Sequence, residues 1–481
     1  MASRPPDQAT DLPRLRVLGS RDKDRLHQAA LTILARTGME VHLAPARALL
    51  QEAGCRIRDD LLVTVPPGLV EKALASAPSS FTVFDRHGRE AMEVGGRRSY
   101  FGTGSDLMYH HDPVTGRRRE AVLEDVARAA RLCQALEHID FLMSYAFPSD
   151  LPPRRAWLKS LEAMVLNSTK PVVTVSDSVE DLARMWRIAA ILRGGEDRAG
   201  SKPFLIHYTE PVSPLKHPGP SLAKLLYCAE NRIPVTYSPA PIAGSTAPIT
   251  PAGHLALGLA ETLFGLVLHQ LRAPGAPFIL GMGPAVMDMS TSQCSYNAPE
   301  YYLAYVGFIE MSHYYDLPSW GYAGTSDSQL PDAQSAFEAG VLTYLAALCG
   351  ANLCHDVGYL DFGRAGALEA IVLGEEYISQ TRRFMEGLPV NEETLALEVI
   401  DQVGSRGHYL TQPHTLRHLR QVQWRPSLLN RQSFSQWRAK GAKPLEEVAR
   451  EKRDALLAGA APEPLNPALV ERIRKVVENY K

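Results

Sequence analysis

Two polar side chains sit where acid–base or charge chemistry is readily built. His355 falls in the mostly small and apolar run Cys354-His355-Asp356-Val357-Gly358-Tyr359. An imidazole can donate at one nitrogen, accept at the other and titrate near neutrality. A structural histidine bonded to a backbone carbonyl is the alternative. Glu210, in His207-Tyr208-Thr209-Glu210-Pro211, is the best-placed carboxylate. Its alternative is a cap on the helix that follows. Around them the aromatic residues concentrate. Only 7% of the chain is aromatic, yet Tyr145, Phe147, Tyr208, Tyr237, Trp320, Tyr322 and Tyr359 all fall at or just past the ends of predicted strands. The face of an aromatic ring attracts a quaternary ammonium, which has no hydrogen to donate. Core packing is the competing role for each ring taken singly.

Other chemistries find less support. His207, Cys354, His355 and Asp356 are metal-ligand types, but no HxC with a distant Cys, no CC pair and no HExxH is present, so no metal site is expected. Gly102-Thr103-Gly104-Ser105-Asp106 lacks the GxGxxG spacing of a nucleotide turn, and Asp327 would oppose an anion at Gly324-Thr325-Ser326. Cys55, Cys133, Cys228, Cys294, Cys349 and Cys354 are scattered and suit buried apolar positions better than a disulfide framework.

The elements that must position these residues alternate regularly. Strand-like runs at Ser99–Gly102, Ile139–Phe147, Pro171–Val175, Phe204–Glu210, Pro234–Pro239, Pro277–Gly283, Ser319–Gly324 and Asn352–Gly358 are each followed by an amphipathic helix. Those helices are Val122–Leu136, Arg155–Val165, Val179–Leu192, Pro220–Asn231, Ala252–Leu271, Pro299–Tyr315, Asp332–Leu348 and Leu368–Met385. Eight βα units imply an α/β chain with a closed parallel (β/α)8 TIM barrel, whose reactive residues gather at the C-terminal strand ends. A doubly wound open sheet is the competitor. The barrel is assigned residues 98–388. Residues 1–97 form an N-terminal extension of helices and a Phe81–Val94 hairpin turning at Arg86-His87-Gly88-Arg89, and residues 389–481 form a C-terminal helical extension ending in Asn466–Tyr480.

The 481 residues are 45% hydrophobic and 22% charged with a formal charge of -2, which is globular and points to neither nucleic acid nor an anionic membrane as partner. Arg117-Arg118-Arg119 is expected to be solvated surface. The stretch from Leu255 to Leu271 carries Glu261, His269 and Gln270, which marks a buried helix rather than a span. The segment Met1 to Arg16 lacks an apolar signal core, so a cytoplasmic protein is expected.

Three segments carry a resemblance. His207-Tyr208-Thr209-Glu210-Pro211, Gly324-Thr325-Ser326-Asp327-Ser328-Gln329-Leu330-Pro331-Asp332-Ala333-Gln334 and His355-Asp356-Val357-Gly358-Tyr359-Leu360 resemble the trimethylamine methyltransferase superfamily, the second most specifically. The similarity runs from about Leu26 to the last helix. It implies a (β/α)8 barrel that gives a methyl group to the cobalt(I) of a corrinoid on a separate protein, with no cofactor held tightly by the barrel itself. The founding branch uses pyrrolysine and trimethylamine. This chain has standard residues throughout and is similar to the branch that demethylates glycine betaine, proline betaine or carnitine. By the resemblance His355 contacts the substrate, and Gln329 lies in the late-barrel region of the founding branch's special chemistry, its own role open. The partners implied are a small quaternary amine and the cognate corrinoid protein; a homo-oligomer is compatible with this. A non-catalytic amine-binding or sensing barrel and a corrinoid-independent barrel enzyme are the rival readings.

Overall fold

A computed structural model describes residues 12–459 and 462–478. The start of the N-terminal segment and the position of Tyr480 in the last helix lie outside them. The eight helices expected to follow strands all form, as Leu123–Ala135, Pro153–Asn167, Val179–Arg193, Gly219–Glu230, Pro251–Arg272, Pro299–Tyr314, Ala333–Cys349 and Leu368–Met385. Their ends follow capping chemistry. Pro occupies the first or second position of four of them, where the missing N–H has no helical partner to lose. Gly194 and Gly350 end two others in left-handed backbone.

The strands are shorter than the runs that announce them. Tyr100–Phe101 pairs with Leu353–His355, and that strand with Trp320–Tyr322. A bridge links Ser319 to Leu280. From there Phe278–Leu280, Val235–Tyr237, Leu205–Thr209 and Val172–Thr174 pair in succession. Bridges then join Val172 to Leu142 and Phe141 to Gly102, beside the strand where the order began. All of these pairings are parallel. The run Ile139–Phe147 survives only as bridges because Tyr145 takes a left-handed φ of 63°, which no regular strand accommodates.

Inward-pointing residues of six strand positions make one apolar plug: Phe141, Val173, Ile206, Ile279, Trp320 and Leu353. The hairpin Ser80–Phe84/Glu90–Gly95 adds Val83, Met92 and Val94 to it. Its backbone also bonds Pro203 and Thr169, just ahead of two strands, so it covers their N-terminal ends. The opposite ends are left for the site. The long apolar helix Pro251–Arg272 has membrane-spanning length and composition, but most of it is buried. It packs against Ser20–Thr32, Pro67–Ser76, Gly219–Glu230 and Pro299–Tyr314. Its Glu261 accepts from the Ser213 hydroxyl at 2.7 Å and the Leu215 amide at 2.6 Å.

The N-terminal segment also supplies Met39–Val41, which pairs antiparallel with Leu62–Thr64 and parallel with Lys216–His217. In the arginine cluster Arg117 and Arg118 are exposed, as expected of solvated surface, and Arg119 is half-buried. Arg118–Glu120 is a strand paired with Tyr109–His111, and Arg119 grips the buried Asp125 with two bonds of 2.7 and 2.8 Å. At the far end, Leu445–Gly459 lies on Leu368–Met385. There the buried Arg453 pairs with the buried Glu369 at 2.9 Å and donates to the Pro113 carbonyl at 3.1 Å.

Candidate active site

A cavity of about 290 Å³ opens at the C-terminal ends of the strands. Ser105 and Asp106 reach it from beyond the first strand, Tyr208 and Glu210 from the end of Leu205–Thr209, Tyr322 and Thr325 from Trp320–Tyr322, and His355, Asp356 and Tyr359 from Leu353–His355. Tyr296 and Cys294 enter from a loop hairpin. No lysine or arginine lines it.

His355 is the best-determined polar group. Its Nδ1 lies 2.7 Å from the Gly321 carbonyl, which can only accept, so Nδ1 carries the hydrogen. Nε2 therefore offers a lone pair, and it faces Asp356 Oδ1 at 3.3 Å. Burial pushes the imidazole down to about 3, against a smaller upward pull from the Gly321 bond. Burial and then the neighbouring Asp106 push the Asp356 carboxyl well up. His355 is thus neutral near pH 7. The ring is stacked among aromatics, with centroids 4.5 Å from Trp320, 4.5 Å from Tyr322 and 6.5 Å from Tyr208.

The other acids share this setting. Asp106 and Glu210 keep exposed surface where they line the cavity. Burial raises Asp106 to about 7, and it raises Glu210. Tyr208 donates its hydroxyl to Glu210 Oε2 at 2.9 Å. The Tyr359 hydroxyl donates to the Ser105 carbonyl. Asp106 and Asp356 both sit at left-handed φ, 73° and 76°, a conformation aspartate tolerates better than most residues. Between them the backbone passes so close that a Cβ on Gly104 would lie 2.1 Å from Asp356 Oδ1.

The segment from Gly324 to Asp332 holds the hairpin over the cavity. Asp327 accepts from the Ser295 hydroxyl at 2.5 Å and the Tyr296 amide at 3.0 Å. Glu338, one helical turn into Ala333–Cys349, accepts from the Ser326 hydroxyl at 2.6 Å and the Asp327 amide at 2.9 Å. The Ser326 amide donates to Tyr359 at 3.0 Å. Among the described residues no three His, Cys, Asp or Glu side chains gather as a metal site would require.

The model of the family "Trimethylamine methyltransferase (MTTB)" matches residues 2–481. The chain belongs to the trimethylamine methyltransferase family. This family member is 31% identical to trimethylamine methyltransferase MttB of Desulfitobacterium hafniense, over 94% of this chain and 91% of that one. It is 30% identical to a glycine betaine methyltransferase of the same species, over 97% of each chain. In fold it is similar to the Methanosarcina barkeri monomethylamine methyltransferase MtmB, with a TM-score of 0.50 at 12% identity over 92% of this chain and 88% of that one. The protein is accordingly an α/β methyltransferase of this family.

Of the residues singled out in sequence, the methyltransferase brings Tyr208, Glu210, Tyr322, His355 and Tyr359 to one cavity. Glu210 lies well ahead of helix Gly219–Glu230 and does not cap it. Trp320 is fully buried in the plug, beneath His355. Three other rings lie away from the cavity lining. Tyr237 packs on the helix glycine Gly265, its hydroxyl 2.6 Å from His217 Nδ1. Tyr145 turns to His110 at 2.9 Å. Phe147 packs edge-on against Trp157 at 5.1 Å. Gln329 is exposed, its amide donating to the Asp327 carbonyl at 3.2 Å. Strand-end position alone does not distinguish an inward ring from an outward one. Asp106, Asp356 and Tyr296 also line it. The signal for the two aspartates was their place near the C-terminal ends of the first and eighth strand runs, which pair with each other.

Proposed function

We propose that this enzyme moves a methyl group from a quaternary amine to the cobalt(I) of a corrinoid carried by a partner protein, at the mouth of a closed (β/α)8 barrel spanning residues 98–388. The unbroken order of parallel pairings that returns to its starting strand supports the closed barrel. Residues 1–97 and 389–481 are read as its extensions. The buried setting of helix Pro251–Arg272 supports a cytoplasmic location within the same reading.

One observation carries the chemistry: a cavity lined by Tyr208, Tyr296, Tyr322 and Tyr359 with acids and no fixed cation. Such a cavity favours a permanent positive charge that donates no hydrogen bond, and each ring face contributes on the order of 1–2 kcal/mol when desolvated. In methyl transfer the C–N bond breaks, its electron pair stays on nitrogen, and the cation becomes a neutral tertiary amine. No proton has to reach the leaving group. The work of Tyr208, Tyr322, His355 and Glu210 is to hold and align the ammonium for attack, with Trp320 supporting His355 from below.

The test is transfer from a panel of quaternary amines to free cob(I)alamin by purified protein, with and without prior chelation. Transfer that survives chelation is expected. Tight amine binding without transfer would make the protein an amine-binding barrel instead, and activity lost with stoichiometric zinc would overturn the reading of the site.

A further inference from the structure

We propose that the cavity takes a quaternary ammonium ion whose fourth arm is uncharged and bears a hydroxyl group, and that it rejects zwitterionic betaines. The inference rests on the amine reading above and narrows it. A betaine needs two opposite environments a few ångströms apart: ring faces for the methyls, and donors or a cation for the carboxylate. Only the first is present.

The charged groups of the lining are all acids, Asp106, Glu210 and Asp356. Lys224, whose charge reaches Glu210 and Asp106, does not line the cavity and donates its Nζ to the Ser176 carbonyl at 2.5 Å. Three of the lining's donors are moreover already used within the protein. The single N–H of neutral His355 is used on Gly321. The Tyr208 hydroxyl is used on Glu210, and the Tyr359 hydroxyl on Ser105. A substrate carboxylate would meet three acids and no cation, with hydroxyls such as those of Tyr296, Tyr322 and Thr325 as its remaining donors, and a buried charge so poorly compensated is expensive.

The same inventory favours a donor on the ligand. A carboxylate offers about four lone-pair sites. Glu210 receives one hydroxyl, from Tyr208, and Asp106 has the Ser105 hydroxyl beside it. Both keep accepting capacity toward the cavity. A quaternary ammonium alcohol satisfies this geometry: its methyls lie on the rings, its charge is balanced by the acids, and its hydroxyl donates to Asp106 or Glu210.

Calorimetric titration of the full chain with choline, glycine betaine and tetramethylammonium above neutral pH tests this, followed by single-turnover transfer to cob(I)alamin. Choline is expected to bind about 100-fold more tightly than glycine betaine, with tetramethylammonium between them. Asp106→Asn and Glu210→Gln should each narrow the choline–betaine gap to about 10-fold or less, weakening choline and relieving the betaine. Glycine betaine binding as tightly as choline overturns the inference and leaves the amine reading standing. Tetramethylammonium equal to choline overturns the hydroxyl assignment. Failure of all three to bind overturns the amine reading, and this inference with it.

Discussion

Asp106 titrates in the neutral range, and its neighbours set the consequence. Ser105, Glu210, Asp177, Asp356 and Lys224 face it; burial, with Glu210 and Asp177 adding to it, outweighs the downward pull of Ser105 and Lys224 and places it at about 7. A cation binds best when this carboxyl is ionised, so affinity for a quaternary amine should rise as pH climbs through about 7 and level off above it. Asp106→Asn should flatten that profile in titrations across the range. Stability runs the other way. Folding raises this carboxyl, so the folded chain holds the proton more tightly than the unfolded chain, and the contribution is lost as pH rises toward the folded value. His355, at about 3, stays neutral throughout and should add no inflection near neutrality. His355→Ala removes a ring in contact with Trp320 and Tyr322 and should lower methyl transfer about 10- to 100-fold while the protein remains folded; wild-type turnover would remove His355 from the site. His355 and Glu210 were visible in sequence because each sits at a strand end among apolar neighbours. Asp106 and Asp356 were weighed only as nucleotide and metal signals, since their shared cavity depends on a pairing between distant strands.

At the scale of elements, the helices were legible nearly to the residue, because an amphipathic stripe with Pro at the start or Gly at the end is a local property. The strands were overextended. Their apolar runs continue past the last ladder bond into loops that carry the site, and Tyr145 breaks one run by a backbone turn that no composition announces. The hairpin Val286–Met287/Cys294–Ser295 was not expected at all. It holds Tyr296 over the cavity through Asp327, which also explains why the Gly324–Gln334 segment is so distinctive without touching substrate along most of its length. Asp327→Ala leaves the Tyr296 amide and Ser295 hydroxyl without their acceptor, a loss of about 1–3 kcal/mol. Its expected signature is weaker amine binding by roughly 10-fold, with circular dichroism and thermal unfolding little changed. Unaltered binding would show that the hairpin is held by other contacts.

Over the whole molecule, the C-terminal helices belong to the same folded body as the strands. Arg453 and Glu369 form a buried pair joining Leu445–Gly459 to Leu368–Met385. Arg453→Met leaves Glu369 with the half-exposed Arg450 at 3.7 Å. It should destabilise the protein by about 3 kcal/mol in denaturant unfolding, and Glu369→Gln in the same background should recover part of it. A change under about 0.5 kcal/mol, the range of ordinary surface substitutions, would mean that the extension is docked by its apolar contacts alone.

The covering of helix Pro251–Arg272 has a further meaning in time. Three of the helices packed on it, Ser20–Thr32, Pro67–Ser76 and Gly219–Glu230, precede it in the chain. As the ribosome delivers the polypeptide, its most apolar segment emerges after most of its shelter has already been made, and only Pro299–Tyr314 is still to come. A chain extended from its N-terminus at about 5–20 residues per second leaves that segment bare only briefly. Ser20–Thr32 and Pro67–Ser76, both within the first hundred residues, are thus already made when the segment they cover emerges.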